Sequence, residues 1–375
     1  IFSPWGSAIP WLTFGGIVLS MAMSKTGLAK RIAYKILIIT GTTLPRIVAG
    51  LVVTGLILAP LISSPSAKVL LMAPIIIGIM QALNVKPLSK TAACLMTAVL
   101  LAVWTPNFIF LSSNEGLMAA EAARKVTGEM ISFTDYMIHM SPLAILWTIC
   151  SAFSIVAIKP DKVVFSAELL KRQYKEMGSM TREQITCIVL FVIMLILFLT
   201  DKYHRINPAW IIVLIASVCF FPGINILKKE DLSKANFLIL IFVTGAMAIG
   251  EAANQCGATE LFTKTVVEFL QGQSESAVII AAWLISLLGN FILTPVAIMG
   301  GFFNPTVNIF SNLGLNPLLG PYSMILGFSH FLFPYEMAPA LVAYSFGYIK
   351  LQDMIKILAF RMVLGLVFMF VVVIP

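Results

Sequence analysis

Charged residues are scarce in this sequence. Of its 375 residues, 11% are Asp, Glu, Lys or Arg, whereas 59% are hydrophobic, and the mean hydropathy is +0.97. Soluble domains carry roughly 25% charged residues, so this composition excludes an ordinary soluble protein and predicts an all-α polytopic membrane protein. The net charge of +8 is concentrated in basic stretches between apolar segments, at 25–46, 159–182 and 228–234. Such stretches are typical of cytoplasmic loops, so they indicate topology and give no reason to expect a nucleic-acid partner.

Residues that support metal or enzyme chemistry are also scarce. The three histidines are far apart, and the five cysteines lie within or at the ends of apolar segments without a CxxC pair. The sequence has no HExxH motif, Gly-rich phosphate loop, nucleophile elbow or pair of catalytic carboxylates. We therefore expect packing thiols, no metal site, no cofactor and no enzymatic activity. Because the chain begins at Ile1 without a basic n-region or cleavage site, we interpret it as a fragment rather than as a signal-peptide precursor.

Proline interrupts two long apolar stretches at matching positions. Ser64-Pro65-Ser66 and Thr294-Pro295-Val296 lie 230 positions apart. Proline inside a membrane helix breaks its hydrogen-bond ladder, and in hydrocarbon such a break survives only where protein or a water-filled cavity surrounds it. Paired breaks in the two halves of a chain are typical of a transporter's binding site.

Threading the apolar segments with alternating sides predicts two repeats and a cytoplasmic connector. The first repeat, 1–158, contains a broken helix near 4–24, a hairpin at 47–83 and spans at 91–112 and 136–158. The connector is 159–183. The second repeat, 184–375, contains a hairpin at 276–311 and spans at 184–200, 208–227, 236–254, 318–347 and 357–375. If both hairpins are re-entrant, every basic stretch lies on one side of the membrane, whereas full spans would scatter the charge.

The two halves also share glycine and proline positions in one register. The pairs that lie 230 positions apart are Gly15 and Gly245, Gly27 and Gly257, Pro65 and Pro295, and Pro87 and Pro317. In the threading, the opening helix of the first repeat runs inward and that of the second runs outward. The sequence therefore predicts inverted-topology repeats, each with a re-entrant hairpin and a broken transmembrane helix.

Each hairpin tip would place hydroxyls and free backbone groups near the middle of the membrane. The helix after the tip presents unpaired N–H groups and the positive end of its dipole, which attract an anion. Carbonyls freed on the preceding half-helix suit a cation such as Na⁺. Two further broken stretches, Trp104-Thr105-Pro106-Asn107 and Phe333-Pro334-Tyr335-Glu336, follow the hairpins. We interpret them as lining the same cavity, with ordinary proline kinks as the alternative.

Three parts of the sequence resemble the divalent-anion:sodium symporter family. They are FGGIVLSMAMSKTGLAKRIA at 14–33, the tip at 64–66 and FLFPYEMAPALVAYSFGYI at 331–349. The resemblance covers essentially the whole chain, and three helices that it implies upstream are absent. It implies transport of dicarboxylates, citrate or sulfate by an elevator-type motion of a transport domain against a dimeric scaffold. It also implies hairpin tips that contact the substrate carboxylate and help to form two sodium sites.

The resemblance and the breaks together give a set of candidate site residues. The candidates for substrate binding are Ser64, Pro65, Ser66, Lys68, Thr105, Asn107, Thr294 and Pro295. The candidates for coupling to sodium or protons are Ser63, Ser66, Thr294, Pro334 and Glu336. Pro65 and Pro295 stand where the family has Asn, and Val296 lacks the family's hydroxyl. Asn290 and Asn304 flank the second tip and are candidates to replace the lost amides.

Lys68 is the unusual residue near the first tip. An uncompensated lysine near the bilayer centre costs at least about 2.5–3.5 kcal/mol, so an anionic group should lie nearby. Our hypothesis is that the lysine replaces one Na⁺ and pairs with the substrate anion or with Glu336. The alternative is a structural Lys68–Glu336 pair that does not contact the substrate.

These observations predict a secondary active transporter of small divalent anions, with dicarboxylates as the expected class, in a bacterial cell membrane. The expected partners are the anion, the lipid bilayer and a second copy of the chain. Sodium is the coupling ion that the family implies, whereas the altered tips and Lys68 favour proton coupling or anion exchange. The alternatives are a transporter of an inorganic oxyanion such as sulfate, and a non-transporting membrane sensor or scaffold derived from a transporter.

Overall fold

The computed structural model describes residues 2–160, 167–233 and 235–374. Outside the described residues lie 161–166 of the predicted connector and position 234 of the third basic stretch. The terminal positions of the two predicted repeats, 1 and 375, also lie outside them. Within the described residues the chain is built from helices without a β-strand. The prediction of an all-α protein is therefore confirmed.

The helices vary from single turns to twenty-one residues. In the part before the connector they are α1 (Ala8–Thr26), α2 (Leu28–Thr40), α3 (Leu44–Leu58), α4 (Pro65–Ala82), α5 (Lys90–Trp104), α6 (Asn114–Thr127) and α7 (Phe133–Phe153). Thereafter they are α8 (Ala167–Glu176), α9 (Arg182–Leu199), α10 (Asp201–His204), α11 (Pro208–Val218), α12 (Lys229–Leu232), α13 (Leu238–Gln255), α14 (Ala258–Leu270), α15 (Glu275–Gly289), α16 (Pro295–Asn312), α17 (Leu319–Phe328), α18 (Ala338–Ser345) and α19 (Leu351–Phe368). Short 3₁₀ segments lie at Ser3–Gly6, Thr105–Ile109, Ser154–Ile158 and Pro334–Glu336, and a π-helical turn lies at Met369–Val373.

Several helical segments are long and apolar enough to cross a membrane. In the described part of the chain there are six, or seven if α1 and α2, which are bent by 68° at Gly27, are taken as one span. The shorter apolar helices include α3, α11, α15 and α17. This pattern confirms a multi-pass integral membrane protein.

The helix bounds recur along the chain at the offset seen in the sequence. Helices α4 and α16 begin at Pro65 and Pro295 and each have 18 residues, and α2 and α14 each have 13. Gly27 and Gly257, which precede α2 and α14, both have positive φ, 69° and 78°. On this basis we propose that the two halves are inverted-topology repeats joined by the connector.

The core of the molecule lies around α5. Beyond Lys90 every residue of this helix is buried, because α3, α4 and α7 pack around it. Apolar side chains on α9 and α13 point outward instead and suit contact with lipid, among them Val189, Ile193 and Ile241. Burial of α5 fixes the position of the segment that follows it, Thr105–Ile109, which lies close to the first hairpin.

Helices α13 and α16 approach each other closely at two glycines. A Cβ atom on Gly300 would lie 2.7 Å from the carbonyl oxygen of Ala246, and a Cβ atom on Gly250 would collide with the carbonyl of Gly300. The neighbouring Gly301 faces open space, with nothing within 4 Å of such an atom. The second hairpin can therefore pack on α13 only because these contact positions lack side chains.

We expect Gly300→Ala to destabilise the protein and Gly301→Ala to leave it unchanged or slightly more stable. The first substitution overpacks a backbone contact, at a cost of about 1–3 kcal/mol. The second only improves helix propensity, by roughly 0.5–1 kcal/mol. The free energies of unfolding of the two purified variants in detergent measure the difference. Equal effects of the adjacent substitutions would contradict the close packing of α13 on α16.

Candidate functional site

The two hairpin tips line one cavity. Residues 63–66 of the first tip and 294–296 of the second both line a space of about 310 Å³. Helices α1, α6 and α13, the end of α5 and the start of α18 complete the wall. Their lining residues are Thr13, Ile17, Trp104, Asn114, Glu115, Leu238, Ile239, Phe242, Val243, Met337, Ala338 and Pro339. Segments more than 200 residues apart in the sequence therefore form a single site.

Each tip is built as the start of a helix. Ser64 is the N-cap of α4 and its hydroxyl accepts from the Ala67 N–H at 3.4 Å, while Thr294 caps α16 through Ala297 at the same distance. Pro65 and Pro295 occupy the first helical positions, where a fixed φ favours the helix and the missing N–H removes no hydrogen bond. The prolines are thus accommodated without strain.

Two backbone N–H groups remain free at these helix starts. The N–H groups of Ser66 and Val296 donate no hydrogen bond to any residue that the structure describes. Both residues line the cavity. Free N–H groups and the positive ends of two helix dipoles make this region of the cavity attractive to an anion.

Behind the first tip lies a buried network of two charges and an amide. The Lys68 ammonium donates to the Asn107 side-chain oxygen at 2.7 Å, and the Asn107 amide nitrogen donates to the Glu115 carboxylate at 3.0 Å. Lys68 and Asn107 are 0% exposed, and Glu115 is 4% exposed. Charged side chains are tolerated at such depth only when they are paired and hydrogen-bonded, so Glu115 is the compensating acid for Lys68.

The predicted Lys68–Glu336 pair is wrong. The Glu336 carboxylate accepts instead from the side-chain amide of Asn290 at 3.0 Å and from the backbone N–H groups of Leu332 and Phe333 at 3.0 and 2.7 Å. The bond from Asn290 joins the break after α17 to the end of α15. The Asn290 amide therefore binds the Glu336 carboxylate. The error arose because the sequence shows only that two charges are isolated in apolar segments, and not which neighbours the fold gives them.

The remaining candidates lie outside the lining of the cavity. The Thr105 hydroxyl is bonded to Thr148 on α7 at 2.9 Å and to the Leu101 carbonyl. Pro334 is buried in its 3₁₀ segment. Asn304 lines a different cavity, together with residues near the start of the chain. The tips are thus together in one site, whereas Lys68, Asn107 and Glu336 are buried without lining it.

Among the charges buried in the described residues, sequence reasoning missed Glu115 and Arg361. Glu115 follows the polar run Ser112-Ser113-Asn114, which suggests a solvated helix start. Its position shortly after the break at 104–107 could have indicated that it lies near the site. Arg361 is 0% exposed on α19, where it donates to the Ser151 hydroxyl at 2.9 Å and to the Ser329 carbonyl. Its guanidinium also lies over the Trp147 ring, 4.6 Å from the centroid. Arg361 therefore anchors the start of the second broken stretch.

Among the described residues, no group of three acidic, histidine or cysteine side chains is placed to hold a metal ion. A monovalent cation would instead depend on the hydroxyls and carbonyls of the tips.

Comparison with known proteins gives a family for this architecture. A family model described as the sodium:sulfate symporter transmembrane region matches residues 1–374. The chain belongs to this family. Its membership confirms the resemblance noted from the sequence and confirms a membrane transporter family rather than an enzyme family.

Individual relatives in the symporter family are distant. The chain is 24% identical over 285 residues to a membrane protein of Cupriavidus necator, covering 74% of this chain and 55% of that protein. It is 22% identical over 395 residues to the sodium-dependent dicarboxylate transporter SdcS of Staphylococcus saprophyticus, covering 95% of this chain and 74% of the relative. It is 20% identical over 376 residues to the citrate/succinate antiporter of Escherichia coli, covering 93% and 75%. The chain thus spans between about half and three quarters of the length of these relatives.

Replacing Lys68 by Met should strongly destabilise the protein. Removal of one partner leaves the Glu115 charge buried and uncompensated, which costs about 3–5 kcal/mol. The double variant Lys68→Met with Glu115→Gln removes both charges and should recover most of the loss. Unfolding titrations of the single and double variants in detergent measure this coupling. Additive losses would mean that the two charges do not compensate each other.

Proposed function

We propose that the protein is a secondary active transporter of small divalent anions, with dicarboxylates as the preferred class. The anion binds between the two hairpin tips, on the free N–H groups of Ser66 and Val296 and near the hydroxyls of Ser64, Ser66 and Thr294. The observation that carries the proposal is the convergence of both tips on one cavity. Two helix starts give a dianion a favourable partner at each end.

The shape and polarity of the cavity favour a dicarboxylate over sulfate. Away from the tips its wall is largely apolar and includes Trp104, Ile239, Phe242 and Val243. Such a wall suits a short carbon chain between two carboxylates better than an ion that is polar on every side. The names of SdcS and of the citrate/succinate antiporter support the same class. An inorganic oxyanion is the second candidate, since the family description names sulfate.

Coupling in this proposal differs between the two tips. At the first tip the Lys68 ammonium supplies the positive charge that a bound Na⁺ would supply, because it is fixed two residues beyond Ser66. The second tip lacks a lysine in the equivalent helix turn and offers Thr294 and the freed carbonyls around it to Na⁺. Glu336 acts indirectly at the second tip. Its hydrogen bonds to Leu332 and Phe333 fix the stretch that leads to Met337 and Pro339 in the cavity wall.

Transport requires the cavity to open to each side of the membrane in turn. The cavity is lined by the hairpin tips and by α1 and α13. We therefore include in the proposal an elevator-type motion of the hairpins against a scaffold that contains α1 and α13. A homodimer and a location in a bacterial cell membrane belong to the same proposal and rest on the family.

Uptake of labelled succinate into proteoliposomes tests the function. We expect saturable uptake that unlabelled succinate inhibits more strongly than sulfate. Lys68→Gln should lower uptake by about tenfold or more in the presence of Na⁺, because the anion loses a buried positive charge near its site. Lys86→Gln is the matched control, since Lys86 is exposed on the loop after α4.

Two outcomes would contradict the proposal in different ways. Stronger inhibition by sulfate than by succinate would replace the dicarboxylate with an inorganic oxyanion. Uptake and sodium dependence that are the same in Lys68→Gln and in the unsubstituted protein would remove Lys68 from the coupling.

A further inference from the structure

We propose that Glu115 is a proton-binding site linked to the anion site, so that it takes up a proton when the anion enters the cavity. The inference rests on the proposed function and adds a coupling ion to it. It is carried by the position of one carboxylate, which lines the cavity and is also joined to the buried lysine behind the first tip.

The position of Glu115 is unfavourable for an anion transporter unless its charge can change. Its side chain is 4% exposed and belongs to the same cavity wall as the free N–H groups of Ser66 and Val296. A dianion bound there would lie beside a carboxylate in surroundings of low dielectric, where like charges repel strongly. Protonation of Glu115 removes that repulsion.

Lys68 makes the change in charge useful for binding. The ammonium is compensated by Glu115 through Asn107, so this part of the protein has no net charge while Glu115 is ionised. When Glu115 binds a proton, the Lys68 ammonium loses its compensating acid and keeps its hydrogen bond to the Asn107 oxygen. The wall then carries one positive charge behind the N-terminus of α4, at the time when the anion needs it.

Few other ionisable groups face Glu115. Helix α16 and the segment Thr105–Ile109, which pack against α6, carry none. Helix α1 carries only Lys25, which is bonded to Asp231. The ionisable side chains on α7 and α17 are Asp135, Tyr136, His139, Cys150 and Tyr322. Tyr136 is buried and interacts electrostatically with Glu115, whereas Asp135 is paired with Lys202 and His139 faces Tyr322.

The proton that binds Glu115 is exchanged with water. The proton comes from water at the open side of the cavity and binds a Glu115 carboxylate oxygen, and it returns to water when the anion leaves. Because the linkage is reciprocal, protons strengthen anion binding by the factor by which the anion strengthens proton binding. A transport cycle would then carry a proton together with each anion.

Proton uptake on binding is the direct test. Purified protein in weak buffer at about pH 8, where succinate is a dianion, is mixed with succinate in the presence of a pH indicator. We expect about one proton to be taken up for each succinate bound, because Glu115 binds one proton when the anion enters the cavity. Glu115→Gln, a neutral mimic of the protonated acid, should bind succinate without proton uptake. Glu121→Gln is the matched control on the same helix, because Glu121 lies outside this cavity and is paired with Arg124, and it should keep the uptake.

The outcomes separate this inference from the proposed function. Succinate binding without proton uptake by the unsubstituted protein, or equal uptake by Glu115→Gln, would overturn the role of Glu115 and leave the anion site intact. Failure of the unsubstituted protein to bind succinate would overturn both. Since the first measurement uses the unsubstituted protein, it decides the question even if Glu115→Gln does not fold.

Discussion

Free N–H groups at a helix start cannot face hydrocarbon, and in the described part of this apolar chain α4 and α16 each begin with one. Ser64 and Thr294 cap one donor each, and Pro65 and Pro295 remove another, but Ser66 and Val296 keep theirs. Unsatisfied backbone groups at membrane depth are stable only beside protein or water. The convergence of both tips on one cavity meets this requirement, and an anion in that cavity would meet it best.

A second constraint is the charge behind the first tip. Lys68 is completely buried two residues beyond the tip, and its position requires a negative partner. Glu115 provides one through Asn107, which explains why the break after α5 lies so close to the first hairpin. Arg361 and Glu336 hold the corresponding break after α17 through backbone groups of residues 329–333. Each broken stretch is thus tied to buried charges, and both lie close to the tips.

The sequence predicted the features that depend on local chemistry. Proline is favoured at the first position of a helix, and Pro65 and Pro295 share one register, so the starts of α4 and α16 could be located from the sequence. Pairings across the fold could not be found in this way. Lys68 and Glu336 were the isolated charges that the sequence drew attention to, but the fold places Asn107 and Glu115 beside Lys68 and Asn290 beside Glu336. Asn107 was expected to contact the substrate, whereas it bridges two charges.

A structure of the protein with succinate tests most directly whether the anion lies between the two tips. The purified chain in lipid nanodiscs, with saturating succinate, should show density that extends from the Ser66 N–H to the Val296 N–H. Density that contacts one tip only, or that lies elsewhere in the protein, would contradict the claim that the paired helix starts form the binding site.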